Sequence, residues 1–198
     1  MKLWLSKKIE IILHLGETIG MPLIDNKTID VLFSADEIAA RLKIIANEIA
    51  LKKPRNLLVL PILKGSFIFA ADLIRALHEA GVVSTVEFIT VSSYGAGETS
   101  GNLRLVHDID SDVSGRDILL IDDILESGKT LSFVKDLVRQ HGADRIFIAA
   151  LLDKSMRRQT KIEADFVGFK CPDQFVVGYG MDSGHQFRQL PFVGVVRS

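Results

Sequence analysis

Several features that would assign this chain to a class of protein are scarce or missing. Its 198 residues include one cysteine, Cys171, so it can form neither an internal disulfide nor a cysteine cluster for zinc, which fits a reducing compartment. The longest apolar runs, 57–63 and 146–152, have seven residues each, whereas a bilayer span needs roughly 20. Charged residues interrupt the first 20 positions, which argues against a signal-peptide core. We therefore expect a soluble, cytoplasmic protein without a membrane partner.

An excess of charge of either sign is also missing. The chain has 24 Lys and Arg against 25 Asp and Glu, a net charge of −1. No long-range field would recruit nucleic acid, so we expect none as a partner. No repeat, low-complexity tract or Ser/Pro-rich linker marks a boundary between independent domains. With 47% hydrophobic residues, the chain can build one core, and the sequence predicts a single domain over residues 1–198.

Helical and extended patterns alternate along the middle of the chain. Ser34 and Glu37 have the spacing of a capping box, and apolar residues follow at helical intervals until Lys53-Pro54. Apolar strands without alternation, separated by helices, are typical of the α/β class, a mostly parallel sheet flanked by helices. The predicted strands are 57–63, 82–91, 117–121 and 146–152, and the two further helices are one ending near residue 80 and one over 130–140.

The pattern changes near the carboxyl end. Residues 165–169 and 175–179 read as short strands separated by turns, with no convincing helix. We predict a small hood lobe beside the sheet. The predicted division is a core over about 34–165 and a lobe from about 1–33 and 166–198.

Segment 121–130 carries the clearest chemical signal. It places Asp122, Asp123 and Glu126 in a polar turn just beyond a predicted strand, with Ser-Gly-Lys-Thr after them at a predicted helix start, where backbone amides bind phosphate. A nucleoside triphosphatase loop would need glycine at position 123, so that interpretation fails. Carboxylates accept hydrogen bonds from a sugar diol, and a ribose 5-phosphate fits both halves of the segment.

Residues 119–130 resemble the phosphoribosyl-pyrophosphate signature of the type I phosphoribosyltransferases. The chain has further motifs, which are Leu63-Lys64-Gly65, Ser93-Tyr94, Leu152-Asp153-Lys154, 172–179 (PDQFVVGY), Asp182 and Phe187-Arg188. Together these motifs resemble the hypoxanthine/guanine phosphoribosyltransferase family over roughly 57–196, with 1–30 outside the resemblance. The resemblance implies transfer of the 5-phosphoribosyl group to N9 of an oxopurine in purine salvage, giving IMP or GMP and pyrophosphate.

The resemblance assigns residues to the phosphoribosyl pyrophosphate site. In the family, the positions of Asp122 and Asp123 hold the ribose hydroxyls, and that of Asp182 binds Mg²⁺ on the pyrophosphate. The glycine- and serine-rich loop 92–102 would close over the reacting centre and exclude water. A non-proline cis peptide is implied where Lys64 and Gly65 follow the strand. The residues that would surround the phosphates are Lys64, Gly65, Ser93, Tyr94, Ser127, Gly128, Lys129 and Thr130.

The resemblance also assigns residues to the purine base and to the pyrophosphate that leaves. Lys154 would donate to the purine O6, which adenine lacks, so it would select oxopurines. Phe175 would stack on the base, Val176 would offer its backbone, and Arg188 would clamp the departing pyrophosphate. Glu126 departs from the family, since many relatives have Asp there. Its role as general base for N7 or as a hydrogen-bonding positioner stays open.

Two other functions fit the same residues. One is a phosphoribosyltransferase that prefers xanthine, because selectivity among oxopurines depends on main-chain placement. The other is a regulator that senses nucleotides on this fold and binds nucleic acid, which the balanced charge disfavours. The resemblance also implies a homodimer or homotetramer. The basic run 156–158 reads as a solvated turn, with an interface role as the alternative.

Overall fold

A computed structural model describes residues 28–94 and 102–197 of the chain. The helices are α1 (Ala35–Leu51), α2 (Phe67–Glu79) and α3 (Lys129–Gln140), with one short 3-10 turn at Ser155–Arg157. The strands are β1 (Thr28–Phe33), β2 (Leu57–Leu63), β3 (Ser84–Val86), β4 (Ile89–Tyr94), β5 (Asn102–His107), β6 (Asp117–Leu125), β7 (Arg145–Asp153), β8 (Phe166–Lys170), β9 (Val176–Val177) and β10 (Val193–Arg197).

The larger sheet has the order β5-β4-β2-β6-β7-β8, with β3 also paired to β2. Strand β2 is parallel to β3, β4 and β6, and β7 is parallel to both β6 and β8. Only the pairing of β4 with β5 is antiparallel among the described strands of this sheet. The structure therefore confirms the predicted fold class, a mostly parallel sheet flanked by helices.

Both faces of the sheet are covered, which explains the apolar strands without alternation. On β2, Leu57 and Val59 belong to one buried cluster together with residues of α1 and α2. Leu58 and Leu60 belong to a second cluster, which includes Val134 of α3. Since successive side chains of a strand point to opposite faces, both sets of positions must be apolar.

Helix α1 forms as its sequence predicts. The Ser34 hydroxyl accepts a hydrogen bond from the Glu37 N–H (3.3 Å), and the Glu37 carboxylate accepts one from the Ser34 N–H (2.8 Å). Ile38, Ile45 and further apolar residues of the same helix face are buried. None of the helices in the described part of the chain is long and apolar enough to cross a membrane.

The strands predicted over 82–91 and 117–121 have different bounds in the structure. The single strand expected over 82–91 is two strands, β3 and β4. Glu87 lies between them, and its carboxylate accepts hydrogen bonds from the N–H groups of Asp110 (2.6 Å) and Ser111 (3.3 Å). Strand β6 continues to Leu125, four residues beyond the predicted end at 121, because β7 pairs with it over that whole length.

Segments that the sequence assigns to the hood lobe form a second sheet. Its order is β1-β10-β9, all antiparallel, over a small cluster that includes Ile29, Val177 and Phe187. Strand β8, which the sequence assigns to the lobe, pairs instead with β7 and belongs to the large sheet. The division into core and lobe otherwise stays a prediction.

Candidate active site

The predicted site residues gather at one edge of the large sheet. Parallel strands bring their carboxyl ends to the same edge, where open α/β sheets bind ligands. Lys64 follows β2, Asp122 and Glu126 lie at the end of β6, and Lys154 follows β7. Four features lie at this edge: a pair of acidic residues, a turn that contains glycine, the start of a helix, and an ion pair on the side where the base would bind.

The acid pair is part of strand β6, whereas the sequence predicts it in a polar turn just beyond the strand, so that prediction is wrong. Asp122 is only 9% exposed, and its Oδ1 accepts a hydrogen bond from the N–H of Asp123 (3.1 Å). Burial, together with the charge of Asp123, raises the pKa of Asp122 well above its ordinary range. Burial also raises the pKa of Asp123, and the positive charge of Arg188 opposes that rise. One buried and one half-buried carboxyl group, adjacent in the chain, provide a cluster of acceptors for hydroxyl donors.

The turn after β2 lies directly against this pair. A Cβ atom built on Gly65 would lie 1.8 Å from Oδ2 of Asp123, so no other residue fits without moving the acid. The Leu63–Lys64 peptide bond is cis, at the junction where the family resemblance implies a cis peptide. The buried Ser66 hydroxyl donates to the carbonyl of Ile62 (2.6 Å) and fixes the turn to its strand.

The Ser-Gly-Lys-Thr segment forms the start of α3. Gly128 is the N-cap residue with φ of 80°, a left-handed conformation that favours glycine. Helix α3 begins at Lys129, one residue earlier than predicted, and Ser127 Oγ accepts from its N–H (3.4 Å). A helix start presents backbone N–H groups without intrahelical partners and the positive end of the helix dipole. This end of α3 can therefore bind a phosphate.

The base side of the site is an ion pair. Lys154 is buried, and its Nζ lies 2.9 Å from Oε1 of Glu126. Its backbone N–H donates to the carbonyl of Leu125 (3.0 Å), which ties the end of β7 to the end of β6. Phe175, just before β9, exposes 61% of its surface, and Val176 is buried within that strand. An exposed ring of this kind can stack on a planar ligand.

The hood contributes the remaining charged pair. Arg188 Nη2 lies 2.6 Å from Oδ1 of Asp182, and Arg188 Nη1 donates to the carbonyl of Gly180 (2.6 Å). A Cβ atom on Gly180 would lie 2.1 Å from the carbonyl oxygen of Gly65, so this segment packs on the turn after β2. The structure thus brings Asp182 and Arg188 to the same region as Asp123.

No three His, Cys, Asp or Glu side chains of residues 28–94 and 102–197 converge as a metal site by themselves. Asp182 nevertheless suits a magnesium ion whose other ligands are phosphate oxygens and water. Mg²⁺ is commonly held by one or two carboxylates plus substrate phosphates. Asp182 therefore fits the predicted magnesium ion, provided that the ion binds together with the phosphates of the substrate.

Two predicted site residues lie at the end of the described segment 28–94. Ser93 and Tyr94 are the last residues of β4, where they pair with Leu103 and Asn102 of β5. Strand β5 is not predicted by the sequence. The rest of the proposed closing loop, 95–101, falls outside the described residues, so its closure stays a prediction.

One residue at the site is missing from the predictions. The run 156–158 reads as a solvated turn, but the Arg158 side chain is only 16% exposed and pairs with Asp153. Arg157 does face solvent more, and its Nε lies 2.7 Å from Oδ1 of Asp173. The turn interpretation is therefore wrong for Arg158, and nothing in the sequence distinguishes the two neighbouring arginines.

Comparisons with known proteins agree with this fold. Residues 34–184 match the family model of the phosphoribosyl transferase domain. The hypoxanthine-guanine phosphoribosyltransferase of Bacillus subtilis (strain 168) is 42% identical over 169 residues, which are 84% of this chain and 92% of that protein. A crystal structure of a hypoxanthine phosphoribosyltransferase from Staphylococcus aureus superposes with a TM-score of 0.80 at 35% identity, covering 85% of this chain and 91% of that one.

A longer relative also matches. The bifunctional protein TilS/HprT of Listeria monocytogenes (serotype 4b, strain F2365) is 38% identical over 194 residues, which are 97% of this chain. This chain spans only 30% of that relative's length.

Proposed function

The chain belongs to the phosphoribosyltransferase family, and on that premise we propose that it transfers the 5-phosphoribosyl group of phosphoribosyl pyrophosphate to N9 of hypoxanthine or guanine. The products would be IMP or GMP and pyrophosphate, which is a purine salvage reaction. The observation that carries the proposal is the position of the ion pair between the buried Lys154 and the half-buried Glu126, next to the Asp122–Asp123 pair and the start of α3. These three features match a purine, a ribose and a 5-phosphate in that order.

The ribose phosphate would bind between β6 and α3. Asp122 and Asp123 accept hydrogen bonds from the ribose hydroxyls, and binding these donors compensates the carboxylates for their burial. The 5-phosphate meets the amides and hydroxyls of Ser127 to Thr130 at the positive end of the α3 dipole. Gly128 allows the backbone to approach the phosphate without a side chain in between.

The purine would bind against Lys154. Its Nζ donates to O6 of hypoxanthine or guanine, whereas the amino group of adenine at that position cannot accept the hydrogen bond and would meet a buried N–H donor. Glu126, whose carboxylate already contacts that Nζ, faces N7 in this arrangement. It either accepts the N7 proton as N9 attacks or orients Lys154. Phe175 stacks on the base, and Val176 offers its backbone.

The pyrophosphate would leave toward the hood. Arg188 provides a planar guanidinium that can bind two phosphate oxygens, and the turn at Lys64 and Gly65 offers backbone N–H groups. Asp182 would hold Mg²⁺, which neutralises negative charge on the leaving pyrophosphate. Cleavage at the anomeric carbon develops positive charge, so the loop 92–102 is proposed to exclude water during transfer.

We also propose that the protein acts in the cytoplasm as a homodimer or homotetramer. The single cysteine and the family resemblance support this proposal. No described contact favours the xanthine-preferring enzyme or the nucleic-acid-binding regulator over salvage of hypoxanthine and guanine.

The test is nucleotide formation from phosphoribosyl pyrophosphate with hypoxanthine, guanine, xanthine and adenine in parallel, each with and without Mg²⁺. We expect Mg²⁺-dependent turnover of hypoxanthine and guanine, with adenine inert because it cannot accept from Lys154. Turnover of xanthine alone would replace the proposal by the xanthine-preferring enzyme. Binding of phosphoribosyl pyrophosphate without turnover of any base would favour the regulator.

A further inference from the structure

Arg158 is a nearly buried cation that the proposed mechanism does not use. Its Nε donates to the carbonyl of Glu126 (2.9 Å), and its Nη2 donates to the carbonyl of Leu125 (3.1 Å). Its Nη1 donates to the carbonyl of Ile162 (2.5 Å), and Asp153 pairs with Nη2. One guanidinium therefore joins the end of β6, the end of β7 and the segment after the 3-10 turn.

Two of the carbonyls that Arg158 holds, those of Leu125 and Glu126, belong to the base side of the candidate active site. Leu125 is the last residue of β6, and its carbonyl also accepts the N–H of Lys154 (3.0 Å). Glu126 follows at once, so its backbone is fixed by Arg158 while its carboxylate contacts Lys154. The relative position of the two base-side groups thus depends on the same guanidinium.

The segment that begins at Arg158 also supports the phosphate-binding turn. The carbonyl of Ser127 accepts from the N–H of Gln159 (2.9 Å) and from the N–H and hydroxyl of Thr160 (both 3.3 Å). A Cβ atom on Gly128 would lie 2.3 Å from Oγ1 of Thr160 and 3.1 Å from Cδ of Arg158. The start of α3 is therefore packed directly against residues 158–162.

We propose that Arg158 is a positioning residue for the transfer reaction, acting through the backbone of residues 125–128 to hold Glu126 and the phosphate-binding turn in register with Lys154. The inference rests on the proposed function. Only arginine provides several donors in one planar fork, so a lysine would keep the charge and lose most of the hydrogen bonds. Because small misplacements of reacting groups are costly, the effect should appear in the chemical step.

The test compares Arg158→Lys with Arg139→Lys in the Mg²⁺-dependent assay with hypoxanthine. Arg139 makes an exposed ion pair with Asp136 on α3, and the same substitution there controls for the change of residue type. We expect Arg158→Lys to lower kcat by about 10- to 100-fold. It should raise KM for phosphoribosyl pyrophosphate, while Arg139→Lys leaves both constants unchanged.

A second variant separates positioning from stability. Arg158→Ala leaves space for an added guanidinium ion, so millimolar guanidinium should restore at least part of kcat, and the same concentration of ammonium should not. Folded Arg158→Lys protein with kcat and both KM values of the wild type would overturn the inference, whatever its thermal midpoint. Should Arg158→Ala not fold, the Arg158→Lys kinetics alone decide. An inactive wild type would instead contradict the proposed function, so the two failures are distinguishable.

Discussion

At the scale of single residues, Glu126 has the most direct consequence for the chemistry. Its carboxylate lies 2.9 Å from the ammonium of Lys154, and 38% of its side chain is exposed. One oxygen is therefore held by a buried cation. A carboxylate in this position can take a proton from a bound purine, and an amide of the same shape cannot.

We expect Glu126→Gln to lower kcat about 100-fold or more at saturating substrates, because general bases typically contribute that much. Glu126→Asp keeps the carboxylate and serves as the matched control, which should retain more activity. The measurement is kcat of both variants and the wild type by steady-state kinetics over a range of pH. Near-normal kcat for Glu126→Gln would eliminate the general base and leave the positioning role.

Single residues differ in how far their roles can be predicted from the sequence. Residue types in the segment 121–130 predict the chemistry of the acid pair, because carboxylates beside a helix start suit few ligands. Contacts between residues that are distant in the sequence cannot be predicted from residue types. Arg157 and Arg158 are adjacent and identical, and only the fold directs one toward Asp173 and the other toward the carbonyls at the end of β6.

At the scale of elements, one hydrogen bond connects α2 with the hood. The hydroxyl of Tyr179 donates to Oδ2 of Asp72 (2.6 Å), and Asp72 also pairs with Arg75. Burial raises the pKa of Tyr179 above its ordinary range, so the hydroxyl stays protonated and remains a donor. Helix α2 starts just after the Lys64–Gly65 turn, and the hood segment carries Asp182. This bond therefore fixes the two sides of the proposed pyrophosphate site.

We expect Tyr179→Phe to lower the free energy of unfolding by about 1 to 2 kcal/mol, since one hydrogen bond to a charged group is lost while Arg75 still pairs with the carboxylate. It should also raise KM for phosphoribosyl pyrophosphate and leave KM for hypoxanthine unchanged. Urea unfolding and steady-state kinetics measure the two effects. Asp72→Asn keeps an acceptor for the hydroxyl and should be milder. Equal changes in both KM values would contradict the assignment of this contact to the pyrophosphate side.

Elements defined by local signals were predictable, and those defined by partners were not. The capping box at Ser34 and Glu37 fixes the start of α1 within the sequence itself. The end of β6 at Leu125 depends on pairing with β7, a contact that residues 122–125 do not encode locally. For the same reason β8 reads as a lobe strand until its partner is known.

At the scale of the whole molecule, β6 carries buried aspartates near both ends of the sheet, in opposite environments. Burial would raise the pKa of Asp117, but hydrogen bonds from Arg145 and from the N–H of Arg55 outweigh it, and the pKa lies below its ordinary value. At Asp122, burial and the charge of Asp123 act together and raise the pKa. The charge of Asp117 is therefore stabilised by its partners, whereas the charge of Asp122 lowers the stability of the folded chain.

The two aspartates predict opposite pH dependences. Since the pKa of Asp122 is raised on folding, its stabilising contribution is complete below the unfolded value near 3.8 and is lost as the pH rises through the folded value. Asp122→Asn keeps the group neutral and should be more stable than the wild type at pH 8, by about 1 kcal/mol or more. This advantage should shrink toward pH 4.

Asp117→Asn is the matched control on the same strand. Its folded pKa is lowered, so its contribution exists above about pH 4 and is lost on acidification, and the variant should be less stable than the wild type at pH 8. Urea unfolding from pH 8 down to about pH 3, without Mg²⁺ or substrate, measures both differences, because the Asp117 contribution is lost only below the ordinary pKa near 3.8. A gap between Asp122→Asn and wild type that did not change with pH would show that Asp122 titrates alike in the folded and unfolded chain. The acid pair would then impose no electrostatic cost that binding of the ribose hydroxyls could relieve.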